Sequence, residues 1–501
     1  MTTTSSTSST TGSISSAGIG SGLDVKGIIS SLMAVESQPL TLLQDKASTV
    51  TTEISAVGQI QSLTSTMADK ARALSSSSLW TQTTSTTADP TIVTADTSSG
   101  TAAAGDYSVS VQQLAQGQTV TSTVAAGTGL DTGTLTIQLG TYTSDTATPP
   151  NTTFAPGSTS AVKITIGAGD TSLSAIRDKI NGANAGVSAS IISDANGSRL
   201  SLRSTTTGIA NGFKITATED VDDGNPATGL SALAFDGSTG ATGSQLTLNQ
   251  YALNAKATVN GIAVESATNK LSNVSDGLTL TLLKKSDTPV DVNVAIDTAS
   301  MQKAITDFVG AYSALQSYIS LQTKYDSSTA VAAGTARHDG PLTGDPSIIG
   351  FQNQLRAVVN TTSTTSTAFA RLSDIGIAVQ KDGTLALSNQ NKLTAALSNP
   401  TELQKLFATQ GTTSENTGIA VRFATMGDGA TAVDGALYSR SSGLQGELSR
   451  NQKQQDDMQV HLDATQARLT AQYQALDTTM AKMSALSSYV SQQVTLMQKS
   501  A

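Results

Sequence analysis

Cysteine is absent from this chain, which removes disulfides, thiol nucleophiles and most structural zinc sites together. Aromatic residues make up only 4%, so the cores have to be built from Ala, Val, Ile and Leu. That composition suits long thin helices and sheets better than one large globular core. Charge is also sparse, at 13% of 501 residues with a net of −9 and no basic tract. Nucleic acid and anionic membrane are therefore excluded as partners. No stretch is apolar enough to span a bilayer. A secretory signal is missing as well: Thr2 to Thr11 are all Ser or Thr, and the first basic residue is Lys26. Such a chain either stays in the cytosol or leaves by a route that reads disordered N-termini.

What the sequence does contain is a heptad repeat at its C-terminal end. Leu462, Leu469, Leu476, Met483, Val490 and Met497 recur every seven residues. Gln466, Tyr473, Met480, Ser487 and Val494 fall four residues after successive members. A spacing of 3.5 is the seam of a left-handed coiled coil, and it needs a partner helix to cover it. Leu462, Leu469, Tyr473, Leu476, Met480, Met483, Val490, Val494 and Met497 are thus the candidate assembly surface. Gln466 and Ser487 are polar at seam positions, which fits either tolerated weak spots or register-setting residues.

The rest of the chain reads as α+β and multi-domain, with helical ends around a β-rich middle. Residues 1–17 are low-complexity. A helix is expected from Asp24, with Ser21 and Asp24 as cap residues, pausing at Pro39. A second helix carries Leu43, Ala47, Val50, Ile54 and Val57, slips phase at Ile60, and resumes through Leu63, Met67, Ala71 and Leu74. From Thr83 to Val294 the period becomes two, as in Tyr107, Val109 and Val111, and Gly, Asn and Asp punctuate the strands. Polar linkers near 141–160 and 236–244 split this antiparallel region into two modules. Met301, Ile305, Phe308, Tyr312, Leu315 and Ile319 restore the helical period, and a shorter helix follows Pro346. Ile377 and Val379 pair with Leu385 and Leu387 around Lys381-Asp382-Gly383 as a hairpin. A last helix from near Ser442 runs into the heptads. Chain order gives an out-and-back path, the β modules being inserted between two helical arms.

No constellation supports catalysis, and no cofactor is implied. His338 lies in the turn-like Ala336-Arg337-His338-Asp339-Gly340, and His461 flanks the heptads. With Ser so abundant, pairing either with a nucleophile is uninformative. Gly18-Ile19-Gly20-Ser21-Gly22 resembles part of a phosphate loop, but no strand precedes it and Leu23 replaces the third glycine. Glu219, Asp220, Asp222 and Asp223 before Gly224 fit an EF-hand badly, since Val221 takes a ligand position and no Glu falls at the twelfth place. An acidic turn accounts for them.

Read in order, a series of short motifs resembles the FliD family of flagellar filament-capping, hook-associated proteins. It begins with Gly20-Ser21-Gly22-Leu23-Asp24-Val25, Leu32-Met33-Ala34-Val35-Glu36, Pro39-Leu40, Gly105-Asp106-Tyr107-Ser108-Val109 and Gln113-Leu114-Ala115. Leu173 to Ser204 is similar to a module shared with flagellins, named for its Ile-Asn pair, here Ile180-Asn181. Val259-Asn260-Gly261-Ile262, Asp276-Gly277-Leu278, Gly340-Pro341-Leu342-Thr343-Gly344-Asp345, Asp374-Ile375-Gly376-Ile377, Asp382-Gly383-Thr384-Leu385 and the coil Arg468 to Val494 continue the series. Each motif is short, and their order over the chain makes the match specific.

The resemblance implies a non-enzymatic cap on the distal tip of the bacterial flagellum, promoting flagellin polymerisation and preventing flagellin leakage. A junction or filament subunit and a surface adhesin with a coiled-coil stalk are the alternatives. Implied partners are further copies of the chain in a pentameric ring, flagellin, the flagellar export apparatus, and an export chaperone on the C-terminal coil. Some members also bind host mucin. Export would proceed without a cleaved signal peptide. The implied domains are a terminal leg (1–45 with 455–501), a helical leg with a small hairpin (46–85 with 297–454), a β head (86–117 with 246–296) and an outer β module (118–245).

Overall fold

The computed structural model describes residues 24–97, 102–122, 130–144, 152–195, 197–237, 245–326 and 339–499. Its helices, in chain order, are α1 (Val25–Glu36), α2 (Gln38–Leu74), α3 (Ser77–Thr81), α4 (Leu173–Gly182) and α5 (Thr298–Gln322). There follow α6 (Pro346–Asn360), α7 (Gln390–Leu397), α8 (Pro400–Ala408), α9 (Ile419–Thr431) and α10 (Ala436–Lys499). The chain forms two compact units, one from Met1–Leu79 with Ala299–Ala501 and the other from Trp80–Thr298.

In the helical unit, Asp24 caps α1, its Oδ1 accepting the Gly27 N–H at 2.8 Å. Ser21 and the Gly18–Gly22 stretch lie outside the described residues, as does His338. The interruption expected at Pro39 falls instead at Ser37, and Pro39 sits in the first turn of α2. There a missing N–H costs nothing, because the first-turn donors have no intrahelical acceptor anyway. The phase change at Ile60 also resolves differently. Ile60 is itself buried, and the stripe continues through Thr64 rather than Leu63, to Met67, Ala71 and Leu74. A threonine can be buried at this position because its hydroxyl donates to the Ile60 carbonyl at 2.7 Å. Met301, Ile305, Phe308, Tyr312, Leu315 and Ile319 of α5 are all buried, as are Ile348, Phe351, Leu355 and Val359 of α6. The hairpin Ile377–Val379 with Leu385–Leu387 forms as the sequence predicts, turning at Gly383 with φ +83°.

The inserted unit is antiparallel throughout its paired strands, and it holds two hydrophobic cores. In the first, a sheet runs Thr83–Thr87, Val290–Ile296, Gly105–Gln113, Ala255–Val259, Ile262–Ser266. It faces a sheet of Lys270–Ser275, Leu278–Leu282 and Val93–Asp96 across Val93, Val109, Val111, Leu280 and Val292. The hairpin between its last two strands turns at Asn260 (φ +49°) and Gly261 (φ +80°), the left-handed pair that a two-residue loop requires. In the second core, the sheet built on Gly133–Ser144 and the sheet built on Gly197–Ser204 share Leu135, Ile137, Leu200, Leu202 and Phe213. Helix α4 also contributes, and here the expectation of strands alone is wrong. Ser172 accepts the Ala175 N–H and starts the helix, while Ile176 and Ile180, one turn apart, are fully buried.

Candidate assembly site

The family-marking motifs are backbone devices. Asn181 shows this directly: its Nδ2 donates to the Ala189 carbonyl at 2.9 Å, and its Oδ1 accepts the Ala189 N–H at 2.7 Å. Ile180 beside it fills the core, so the pair locks α4 onto its neighbouring strand Val187–Asp194. Asp345 closes the loop before α6, accepting the Ser347 and Ile348 N–H groups with Oδ1, while Oδ2 accepts Arg440 Nε from α10. Arg440 Nη2 reaches Glu53 of α2 at 3.1 Å. Burial raises the Glu53 carboxyl above its usual range, and the Arg440 charge only partly opposes this. One guanidinium therefore ties three helices together.

These contacts orient α10 antiparallel to α2: Arg440 meets Glu53, Glu447 pairs with Lys46 at 2.9 Å, and Gln455 Nε2 donates to the Leu43 carbonyl. The Lys46 ammonium holds the Glu447 carboxyl below its usual range. The buried stripe of α10 starts well before the heptads recognised in the sequence. Leu437, Leu444, Asn451, Leu462 and Thr465 are buried, with Ser441, Leu448, Gln455 and Met458 half-buried between them. Ser441, Asn451 and Gln455 hid this extension, although the alternation of four and three was there to read.

All nine candidate residues lie on this single unbroken helix. Leu462 is 6% exposed, and Leu469 and Tyr473 are half-buried. From Leu476 (45%) onwards the stripe is open, through Met480, Met483 (67%), Val490, Val494 and Met497. Its polar member Gln466 is exposed, and Thr465 holds the buried place instead. Three-residue and four-residue steps thus give way to two successive fours, from Thr465 to Leu469 to Tyr473. That is a stutter, which locally unwinds a supercoil before the strict heptads resume. Helix α1 packs against α10, and among the described residues nothing buries the seam beyond Tyr473.

Glu219, Asp222 and Asp223 serve the local backbone. Glu219 accepts the Ser231 N–H, Asp222 the Gly224 N–H, and Asp223 the Asn225 N–H and the Thr228 hydroxyl. Carboxylate oxygens of Glu219, Asp222 and Asp223 come within 4.8 Å of one another, and these bonds account for the arrangement. His461 is exposed on α10, its Nδ1 3.4 Å from the Thr465 hydroxyl. No described helix is long and apolar enough to cross a membrane.

Comparison with known proteins agrees along the chain. Residues 21–118 and 252–485 match the family profiles for the N-terminus and the C-terminus of flagellar hook-associated protein 2, and residues 134–206 match the flagellin hook IN motif. The flagellar hook-associated protein 2 of Escherichia coli strain K12 is 34% identical over 492 residues, covering 96% of this chain and 98% of that one. The B-type flagellar hook-associated protein 2 of Pseudomonas aeruginosa is 31% identical, with 92% and 93% covered. A crystal structure of the D1-D2-D3 domains of the flagellar cap protein FliD from Escherichia coli aligns with a TM-score of 0.58 at 31% identity, over 78% of this chain and 99% of that one. Matched in this way from its first helix into its last, the chain belongs to the flagellar hook-associated protein 2 family, FliD, the non-enzymatic cap proteins of the flagellum tip.

Proposed function

We propose that this chain caps the growing filament as a homo-oligomeric ring of five, admitting flagellin subunits into place and preventing their escape. The observation that carries this is the seam of α10, buried against the chain's own helices as far as Tyr473 and open from Leu476 to the end. A protein whose terminal helix is half anchored and half uncovered is built to join other helices, and the family supplies the setting. The anchored half belongs to a helical leg, and the open half inserts toward the filament. Flagellin and further copies of the chain are its partners there. Before assembly, the same apolar stripe is the surface that an export chaperone covers and delivers to the export apparatus. The chain leaves unfolded. The first β core forms the head (86–117 with 246–296) and the second the outer module (118–245), which is where host mucin would bind.

A proline at Leu476 tests the role of the coil. It would remove a backbone hydrogen bond and clash with the preceding turn, costing ~3 kcal/mol locally, beyond the part of α10 that packs on α2. Leu476→Pro should be exported and keep its β insertion folded, yet give short or absent filaments with flagellin released into the medium. Full-length filaments from the variant exported at normal levels would sink the mechanism.

A further inference from the structure

Val187–Asp194 is the outermost strand of the sheet that runs Leu246–Gln250, Thr119–Ser122, Gly197–Ser204, Val187–Asp194. In an antiparallel ladder, successive residues turn their N–H and C=O groups alternately toward the paired strand and away from it. Ala189 turns both of its groups away, as its two bonds to Asn181 in the last turn of α4 show. Val187, Ile191 and Ser193 share that phase, so their groups point off the sheet as well, and no described strand pairs with them there. Such a row is a template for another strand, and proteins blunt it with charge, proline or a bulge. None of these occurs here before Asp194. Gly182 to Ser193 contains no charged residue and no proline, and the register with Gly197–Ser204 runs from Val187 to Asp194 without a shift. An uncharged, proline-free strand of this length is the kind of segment that pairs with itself.

We propose that Asn181 is an edge plug: its amide stands in for the next strand and keeps the same edge of a second copy from pairing there. A primary amide offers an N–H donor and a C=O acceptor side by side, the pair that a residue of a neighbouring strand would bring. Here both meet one residue, at 2.9 and 2.7 Å. The apolar side of α4 already holds the helix in place. Ile176 and Ile180 are 0% and 1% exposed, Ser172 caps the first turn, and Lys179 pairs with Asp170 at 3.0 Å. Asn181 itself is exposed. The edge it guards is complementary to itself. Two copies related by a two-fold axis at Ile191 would set Ile191 against Ile191 and Ala189 against Ser193, outward groups opposite outward groups. Ile192 is 53% exposed, and Ser193 and Asp194 are open beside it. Only the Ala189 end of that ladder is closed, and by symmetry Asn181 closes it twice.

Full-length Asn181→Ala, Asn181→Asp and the double variant Asn181→Ala with Ser193→Pro are compared with the parent by light scattering over a concentration series and by amide exchange. All four keep the same α10, so a difference between them reports on this edge. Alanine removes both bonds and favours a helix more than asparagine does, so α4 stays formed. Asn181→Ala should associate at a concentration roughly tenfold below the parent. Its Ile191 and Ser193 amides should exchange more slowly as association proceeds. Asn181→Asp loses the donor but leaves a charge on the edge, which blocks pairing in its own way. It should melt below the parent and associate no more than the parent does. Proline at 193 removes an outward N–H and spares the bonds to Gly197–Ser204, so the double variant should return to the parent's behaviour. An alanine variant that melts lower, with unchanged association and fast Ile191 exchange at every concentration, would make Asn181 an anchor and overturn the plug. An aspartate variant that associates like the alanine one would overturn it too. So would association that the proline increases, because that would come from unfolding.

Discussion

Glu402 shows how much a single side chain can organise in this fold. Its Oε2 accepts the Ser366 hydroxyl at 2.7 Å and the Thr367 N–H at 2.8 Å, while Oε1 accepts Lys405 Nζ at 2.7 Å. The Lys405 and Ser366 hydrogen bonds, followed by the Thr367 N–H, pull its pKa down to about 2. A depressed carboxylate stabilises the fold fully above its unfolded pKa, about 4.3, and the contribution disappears as pH falls through the folded value. Glu402→Gln should therefore lower the melting temperature at pH 7, and the gap to the parent should close between about pH 4.3 and 2. A gap independent of pH would show that the residue acts by packing alone. No periodicity points to the whole Glu402 cluster, because apart from Lys405 on the same helix its partners lie in a loop more than thirty residues away. Asp24 was legible for the opposite reason: a helix cap demands a particular residue at a fixed offset. That is also why the family's motifs are short and rich in Gly and Asp.

At the scale of elements, legibility followed the regularity of the apolar stripe. α5 and α6 carry unbroken stripes of large residues, and each of those residues is buried. On α2 the stripe passes through Ala56, Thr64 and Ala68, small or polar residues that a search for large apolar side chains passes over. Thr64 and Ala68 are buried where α9 approaches closely, and Gly427 permits it. A Cβ added there would stand 2.8 Å from the Ala68 Cβ and 3.4 Å from the Thr64 carbonyl oxygen, whereas one at Gly429, two residues on, would meet nothing within 4 Å. Replacing a helical glycine with alanine gains about 1 kcal/mol in propensity, and overpacking a close contact costs about 1–3 kcal/mol. Neither Ala68 nor the Thr64 backbone can rotate aside, so overpacking should win at Gly427. The expected result is that Gly427→Ala destabilises the helical unit by about 1 kcal/mol while Gly429→Ala stabilises it by up to ~1 kcal/mol. Denaturant unfolding of the two variants checks the signs, and stabilisation by both would mean that α2 and α9 are not held at glycine distance. α4 escaped notice for a different reason. Ten residues between strands, with two core isoleucines, leave too short a stripe to stand out against the period of two on either side.

The plan of the whole chain was legible from the order in which the hydrophobic period changes, from 3.6 to 2 and back. What the periods could not supply was how the insertion begins and ends. Thr83–Thr87 pairs with Val290–Ile296, Thr83 opposite Ile296, and the Asp297 N–H donates to the Gln82 carbonyl at 2.9 Å. The first and last strands of the insertion are neighbours in one sheet, so it enters and leaves at one place. An element closed in this way keeps its strand pairing without the helices, and both of its hydrophobic cores lie wholly between Trp80 and Thr298. The fragment 80–298 should accordingly fold alone, with a β-type circular dichroism spectrum and a cooperative melt. Its amide exchange should be slowest in Gly105–Gln113 and Val290–Ile296, strands bonded on both sides in the sheet that carries the two ends. A fragment that is molten, or that gains helix at the expense of strand, would show that the insertion depends on the helical unit after all. Cutting instead at residue 88 removes Thr83–Thr87 and strips one partner from Val290–Ile296. That shorter fragment should melt lower than 80–298, with protection lost first in Val290–Ile296.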